Sequence, residues 1–160
     1  MKKLILIRHA KSSWDLPIQD KERGVTNKGI TKALKVANKT IGLIFHSATI
    51  WCSSSKRTRL TAKLFLDTWN LDENKIVFLD ELYTFDCLIL EEIVKSCPNH
   101  CENLILFGHN SAITEFVNKF GNKFVTNVPT SGFVSINFDT TSWANITKGI
   151  TQNIIFPSDN

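Results

Sequence analysis

The sequence lacks any long hydrophobic run, so nothing in it looks like a membrane-spanning helix. The first apolar run covers residues 4–7 and stops at Arg8, which is too short for the core of a secretory signal peptide. A transmembrane helix needs about 20 apolar residues in succession. We therefore expect no membrane partner and a cytoplasmic location.

Strong charge of one sign is also missing. The 160 residues carry a formal net charge of +4, with no long Lys/Arg block and no interleaving of aromatic and basic residues of the kind that binds nucleic acid. A mildly positive chain attracts anionic substrates instead. We expect no nucleic-acid partner, and the sequence leaves the oligomeric state open.

Cysteine is sparse, and no repeat, low-complexity segment or linker divides the chain. The four cysteines are predicted to be free thiols. The segment CPNHC, residues 97–101, resembles half of a zinc clip, but a polar loop after a helix that ends at Pro98 is the favoured interpretation. The length fits one domain over residues 1–160, and no metal or other cofactor is expected.

Short apolar runs alternate with helical patterns, which predicts an α/β fold. Strands are expected at residues 4–7, 49–52, 76–79 and 104–107, and helices within 26–41, 55–69, 86–96 and 108–120. The first helix should begin after Thr26 and bury one face, formed by Ile30, Ala33, Leu34, Ala37 and Ile41. The alternating segment from Phe133 onward predicts a half-exposed strand. Residues 143–146 are either its hairpin partner or a further edge strand.

Anion-binding groups follow three of the predicted strands. Arg8 and His9 end the first strand, and Arg57 lies in the first helical turn after the second. His109 follows the fourth strand, again at a helix start. Sites in open α/β sheets form beyond the carboxyl ends of strands, and arginine matches the geometry of phosphate oxygens. Helix N-termini add free N–H groups that favour anions. We therefore expect two arginines and two histidines to meet around one phosphate group.

His9 is the candidate nucleophile of this cluster. A neutral imidazole attacks phosphorus well, and neighbouring arginines disfavour its protonated form. The same arginines would neutralise charge on the phosphoryl group during in-line displacement. Each residue alone has an ordinary structural interpretation, so the hypothesis depends on their coincidence at three strand ends.

The motifs also resemble those of a known family, the histidine phosphatase or phosphoglycerate mutase-like superfamily, and within it the short SixA-type branch. The matching segments are LIRHAKSSW, GVTNKG, CSSSKRTRLTA, LILFGHN and VPTSGFVSINFD followed by a tryptophan. Together they span nearly the whole chain. The resemblance implies a three-layer α/β/α sandwich around a mixed, mainly parallel sheet.

The resemblance implies that His9 is phosphorylated during catalysis, with Arg8, Arg57 and His109 completing the phosphate pocket and no metal required. It implies a phosphatase whose partner is a phosphorylated protein carrying phosphohistidine. A small phosphorylated metabolite such as a sugar or nucleotide phosphate is the alternative, and a non-catalytic phosphate-binding module ranks lower. The absence of a long insertion that could form a lid favours an open pocket and a protein substrate.

The proton donor is the open part of this interpretation. Glu81, next to Asp80, lies near the place of the catalytic acid in many relatives, although a capped loop is the favoured interpretation of these two residues. A weak acid or none is chemically acceptable if the leaving group is an imidazole, because the P–N bond is labile.

Further candidates for phosphate contacts are Ser12, Asp15 and Asn110. Ser12 either contacts phosphate or caps a turn. Asp15 would repel a dianion unless protonated or turned away. Asn110 is more readily explained as a helix cap. Arg23 is expected to be a surface residue first and a substrate contact second.

Overall fold

One six-stranded sheet forms the centre of the protein in a computed structural model that describes residues 1–14 and 17–158. Its strands are β1 Lys2–Arg8, β2 Thr49–Ser53, β3 Ile76–Leu79, β4 Asn103–Gly108, β5 Phe133–Phe138 and β6 Ile150–Ile155. The helices of these residues are α1 Asn27–Thr40, α2 Lys56–Trp69, α3 Cys87–Lys95 and α4 Ala112–Phe120. The spatial order is β3-β2-β4-β1-β5-β6. β3, β2, β4 and β1 are parallel, while β5 and β6 are antiparallel to their neighbours.

Helices cover both faces of this sheet because its central strands are apolar on both sides. In β1, Leu4 and Leu6 join one buried cluster with residues of α3 and α4, whereas Ile5 and Ile7 join a second cluster with residues of α1 and α2. Successive side chains of a strand point to opposite faces, so a continuous apolar run builds two cores. The predicted three-layer α/β/α sandwich with a mainly parallel sheet is confirmed.

The first helix begins where the sequence predicts, and the face that it buries differs only in part from the predicted one. The Thr26 hydroxyl accepts a hydrogen bond from the Gly29 amide at 2.9 Å, which caps the helix. Ala33 and Ala37 are buried as predicted, and Val36, which was not among the predicted residues, is buried with them. Ile41 is 50% exposed. The helix ends at Thr40, so Ile41 falls outside the helical period that predicted its burial.

The last part of the sheet differs from the sequence-based expectation. β5 is almost wholly buried, because it lies between β1 and β6 rather than at a half-exposed position. Residues 143–145 form a 3-10 helix instead of a strand. Trp143 is fully buried, and its indole N–H donates to the Cys101 carbonyl at 2.6 Å. The edge strand on this side of the sheet is β6, where polar residues interrupt the apolar run and obscure its pattern.

The CPNHC segment connects α3 to β4. Cys97 is 4% exposed and belongs to an apolar cluster, whereas Cys101 is half-buried. Within residues 1–14 and 17–158, no group of three or more His, Cys, Asp or Glu side chains is arranged to hold a metal ion. None of the helices described by the structure is both long and apolar enough to cross a membrane.

Candidate active site

His9 sits immediately beyond the end of β1, at the edge of the sheet where β4 also ends. Arg8 of β1 is in register with Gly108 of β4, and the His9 amide donates to the Gly108 carbonyl at 3.1 Å. The next amide, that of Ala10, donates to the Thr61 hydroxyl of α2 at 2.8 Å. These bonds fix the backbone on both sides of the imidazole. His9 is only 8% exposed.

The hydrogen bond of the His9 ring determines which nitrogen carries the proton. Nδ1 lies 2.7 Å from the carbonyl oxygen of Ala10. A carbonyl oxygen only accepts hydrogen bonds, so Nδ1 must carry the hydrogen and Nε2 keeps a free lone pair. Burial lowers the pKa of His9 to about 4, against the upward effect of the Ala10 carbonyl, and the charges of Arg57 and Arg8 lower it further. The imidazole is therefore neutral at pH 7.

His109 follows β4 and faces His9, with the two ring centroids 5.3 Å apart. Its Nδ1 is 3.4 Å from a guanidinium nitrogen of Arg57, which can only donate. The proton of His109 is therefore on Nε2, which donates to the Ser53 hydroxyl at 2.8 Å. Burial, then the charges of His9 and Arg57, lower the pKa of His109 to about 3. Both histidines are thus held neutral in fixed tautomers.

Arg8 and Arg57 supply the positive charge of the site. Arg8 donates through Nη1 to the Val128 carbonyl at 2.9 Å. Burial and the charge of Arg57 lower the pKa of Arg8 from its ordinary value. Arg57 is 2% exposed at the start of α2 and is among the largest fully buried side chains of the described residues. Arg59, two residues later, lies exposed on the same helix.

Several guanidinium donors in this region have no hydrogen-bond partner among the residues that the structure describes. They are the buried nitrogens Arg8 Nε, Arg23 Nη1 and Arg57 Nε. A buried charged donor without a partner is costly, and charge-assisted bonds to an oxyanion are the strong way to satisfy it. The donor set fits a phosphate group.

Asp20, which sequence reasoning missed, connects the arginines of the site. It lies in a 3-10 turn, Asp20–Glu22, before α1. Arg57 donates to its backbone carbonyl at 2.7 Å and to its carboxylate at 3.0 Å. Arg23 and the Tyr83 hydroxyl donate to the same carboxylate. Partial burial raises the pKa of Asp20, but the hydrogen bonds from Tyr83 and Arg57 outweigh it and lower the pKa to about 2.

Two aromatic rings line the site next to His109. The rings of Tyr83 and Phe85 lie 5.3 Å and 5.5 Å from that of His109, measured between centroids.

Arg23 is buried, with 5% of its surface exposed, so the prediction that it lies on the surface was wrong. Its guanidinium carbon stacks 3.2 Å from the ring centre of Trp14, and its bond to Asp20 holds it inward. The i, i+3 spacing of Asp20 and Arg23 was the sequence signal for this pair.

The structure describes three of the four remaining candidates from the sequence. Glu81 is exposed in the 3-10 turn after β3, and no hydrogen bond or ion pair in the described residues links it to the two histidines or the two arginines. Ser12 is buried and forms an isolated β-bridge with Val25. Asn110 accepts from the Thr114 amide at 3.0 Å, as a cap of α4 would. Asp15 lies outside the described residues.

Comparisons with known proteins identify a family and a shared fold. The family model of the histidine phosphatase superfamily (branch 1) matches residues 4–103. A search of curated proteins finds no match. Among solved structures, the protein histidine phosphatase SixA complexed with tungstate superposes with a TM-score of 0.80 at 19% identity, covering 97% of each chain.

Two further solved structures share the fold at lower similarity. The phosphoserine phosphatase of Entamoeba histolytica with 3-phosphoglyceric acid has a TM-score of 0.63 at 16% identity, covering 96% of each chain. The ecdysone phosphate phosphatase of Bombix mori with tungstate has a TM-score of 0.58 at 12% identity, covering 86% of this chain and 89% of that one. At these identities, the likeness establishes a shared fold.

Proposed function

The chain belongs to the histidine phosphatase superfamily and is a phosphatase; from that premise we propose that it hydrolyses phosphohistidine in proteins, without a metal, through a phosphorylated His9. The observation that carries this proposal is the tautomer of His9. Its Nδ1 is tied to the Ala10 carbonyl at 2.7 Å, so Nε2 is the free nucleophilic atom.

In the first step, the Nε2 lone pair forms a bond to phosphorus, and the bond from phosphorus to the leaving nitrogen breaks. The leaving nitrogen keeps that electron pair and takes up a proton. Water then attacks phosphorus, the P–Nε2 bond breaks, and inorganic phosphate leaves with the imidazole restored. Arg8, Arg57 and His109 are proposed to hold the phosphoryl oxygens. The neutral state of His9 at pH 7, with its pKa near 4, supports the first step.

The choice of phosphohistidine follows from the absence of a general acid among the carboxylates that the structure describes near the histidines. Asp20 is the carboxylate nearest the arginines, but a pKa of about 2 keeps it ionised at neutral pH, so it has no proton to donate. Glu81 is exposed and has no contact with the histidines in the described residues. An imidazole leaving group can be protonated before it departs, whereas an ester oxygen gains much more from a positioned acid. Glu81, Ser12, Asp15 and Asn110 remain candidates for weaker roles.

A small phosphomonoester is the alternative substrate, with the same mechanism. Structures that share the fold include a phosphoserine phosphatase and an ecdysone phosphate phosphatase. The Tyr83 ring lies beside His109, but its hydroxyl already donates to Asp20, so that proton is not free for an ester oxygen. This arrangement favours the phosphohistidine substrate.

Two parts of the proposal concern the whole chain. We propose that residues 1–160 act as one catalytic domain, because a single sheet joins β1 to β6. We propose a cytoplasmic location, because all four cysteines are free thiols, as is usual in reducing compartments.

The test compares two substrates in the presence of EDTA, a phosphohistidine-bearing phosphotransfer domain and an aryl phosphate, with wild type and His9→Ala. We expect phosphate release by wild type from both, with a higher kcat/KM for phosphohistidine, and none by His9→Ala. A higher kcat/KM for the aryl phosphate would favour the small-molecule alternative. Phosphate release that persists in His9→Ala would refute the role of His9 as the nucleophile. No release from either substrate by folded wild type would point to a phosphate-binding module.

A further inference from the structure

A groove of about 580 Å³ lies on the surface between α2 and the edge strand β3. Its apolar floor comes from one side chain of the helix and two of the strand, namely Leu60, Ile76 and Phe78. Leu60 is 38% exposed and Phe78 is 48% exposed. β3 is the outermost strand on its side of the sheet, and an outermost strand offers backbone groups to an extended segment of another chain.

One wall of this groove is basic. Lys56, Arg59 and Lys63 follow at helical spacing on α2 and all line the groove. Lys63 lies 4.0 Å from Glu73, which also lines the groove. Lys56 and Arg59 form no ion pair within residues 1–14 and 17–158, although Glu22 lines the end of the groove formed by the 3-10 turn. Basic side chains therefore exceed acidic ones, and two of them are available to an anionic partner.

The groove is lined by residues of two elements that also carry residues of the candidate active site. Lys56 precedes Arg57 on α2, and Glu22 belongs to the turn whose Asp20 binds Arg57. A Cβ placed on Gly24 would lie 3.9 Å from the Lys56 side chain, so this lysine rests against the loop that carries Arg23. A molecule that places a phosphoryl group at His9 and extends past this turn would therefore enter the groove.

We propose that this groove binds an acidic, extended segment of the phosphorylated substrate protein, with its carboxylates on Lys56 and Arg59 and its apolar side chains on Leu60 and Phe78. The proposal rests on the proposed function in assigning the segment to the substrate. A compact sugar or nucleotide phosphate held at His9 has no chain that would fill a groove of this volume. The segment acts on binding, so it should lower KM more than it raises kcat.

The first test measures binding without catalysis. Fluorescence anisotropy would follow a fluorescein-labelled peptide that contains a run of glutamates and two leucines and no phosphate, against the same peptide with glutamines. We expect wild type to bind the acidic peptide more tightly, and Lys56→Gln/Arg59→Gln to lose about fivefold in affinity, equivalent to about 1 kcal/mol. The advantage should shrink between about 50 mM and about 300 mM salt.

The second test measures turnover of phosphohistidine peptides that carry the same acidic or glutamine run on either side. We expect the ratio of kcat/KM for acidic over glutamine peptide to fall about fivefold in Lys56→Gln/Arg59→Gln, mostly through KM. The matched control is Lys123→Gln/Lys148→Gln, two exposed lysines in the loops before β5 and β6. This control should leave both the affinity and the ratio unchanged.

The outcomes separate the two proposals. Equal binding of the acidic and glutamine peptides, or an equal loss of affinity in the control variant, would overturn the proposal that the groove binds an acidic segment. Binding that depends on Lys56 and Arg59 supports the groove even if no phosphate is released, in which case the phosphatase proposal fails alone. Binding without any advantage in turnover would show that the groove takes an acidic partner other than the substrate and would refute the substrate assignment.

Discussion

Because this protein buries two neutral histidines, lowering the pH should destabilise it already at pH values above those at which carboxylates titrate. The pKa of His9 falls from an ordinary value of 6.5 to about 4, chiefly through burial, and that of His109 to about 3 for the same reason. The unfolded chain therefore binds protons that the folded one does not, beginning near pH 6.5. The contribution of the two neutral histidines to the free energy of unfolding is complete above pH 6.5. It is lost as the pH falls toward 4 for His9 and toward 3 for His109.

The size of the effect follows from these shifts. A tenfold change in proton concentration costs about 1.36 kcal/mol for each group that is charged only in the unfolded state. Between pH 7 and pH 5, each histidine should lower the free energy of unfolding by about 2 kcal/mol. The free energy of unfolding should therefore fall by about 3 to 4 kcal/mol in total. Asp20 adds nothing in this window, because its pKa moves from 3.8 to about 2 and acts only at lower pH.

The assay is urea unfolding at pH 7 and pH 5, in buffer without phosphate, with wild type and His109→Gln. The variant lacks one of the two histidines, so its loss of stability between the two pH values should be about half that of wild type. Histidine NMR titration would measure both pKa values directly. A wild-type loss below about 1 kcal/mol, an equal loss in the variant, or titration of both rings above pH 6 would refute the reasoning.

The remaining predictions concern residues that hold the site in place. Thr61→Val leaves a buried amide beside the candidate nucleophile without its acceptor and should cost about 1–3 kcal/mol in urea unfolding, whereas Thr68→Val on the same helix should cost clearly less; equal losses would contradict this. Gly29→Ala places a Cβ 2.7 Å from a backbone oxygen and should cost about 1–3 kcal/mol, while Gly42→Ala meets nothing within 4 Å; equal melting temperatures would argue against the clash. Asp20→Asn removes a negative charge beside the phosphate-binding arginines and should tighten tungstate binding about threefold by calorimetry; weaker binding would show that the carboxylate positions them instead.

The central strands and the four residues at their ends could be predicted because local pattern and topology agree there. A short apolar run followed by Arg8 and His9, or by His109, reads as a buried strand that ends at a polar site, and parallel strands bring such ends together. Arg57 was predicted from its place in the first helical turn after the second strand, and the resemblance implies the same residue. In the structure Arg57 is buried beside His109, whereas Arg59 on the same helix is exposed.

The parts that could not be predicted depend on contacts distant in sequence. Asp20 gains its place from Arg57 and Tyr83, which lie 37 and 63 residues away along the chain. Trp143 is a residue type that is common in strands. In the structure it lies in a 3-10 helix, where its buried indole N–H donates to a carbonyl near the start of β4. β6 is recognisable only through its pairing with β5. In each case tertiary packing overrides the local pattern.

The most direct test of the central claim is to trap the phosphorylated enzyme. Wild type would be mixed with a phosphohistidine peptide in EDTA, quenched within milliseconds in alkali, and analysed for bound phosphate by mass spectrometry. We predict a phosphoryl group on His9 that is stable in alkali and lost in acid, and none on His9→Ala. Phosphate release without such an intermediate, or a phosphoryl group on another residue, would contradict the account.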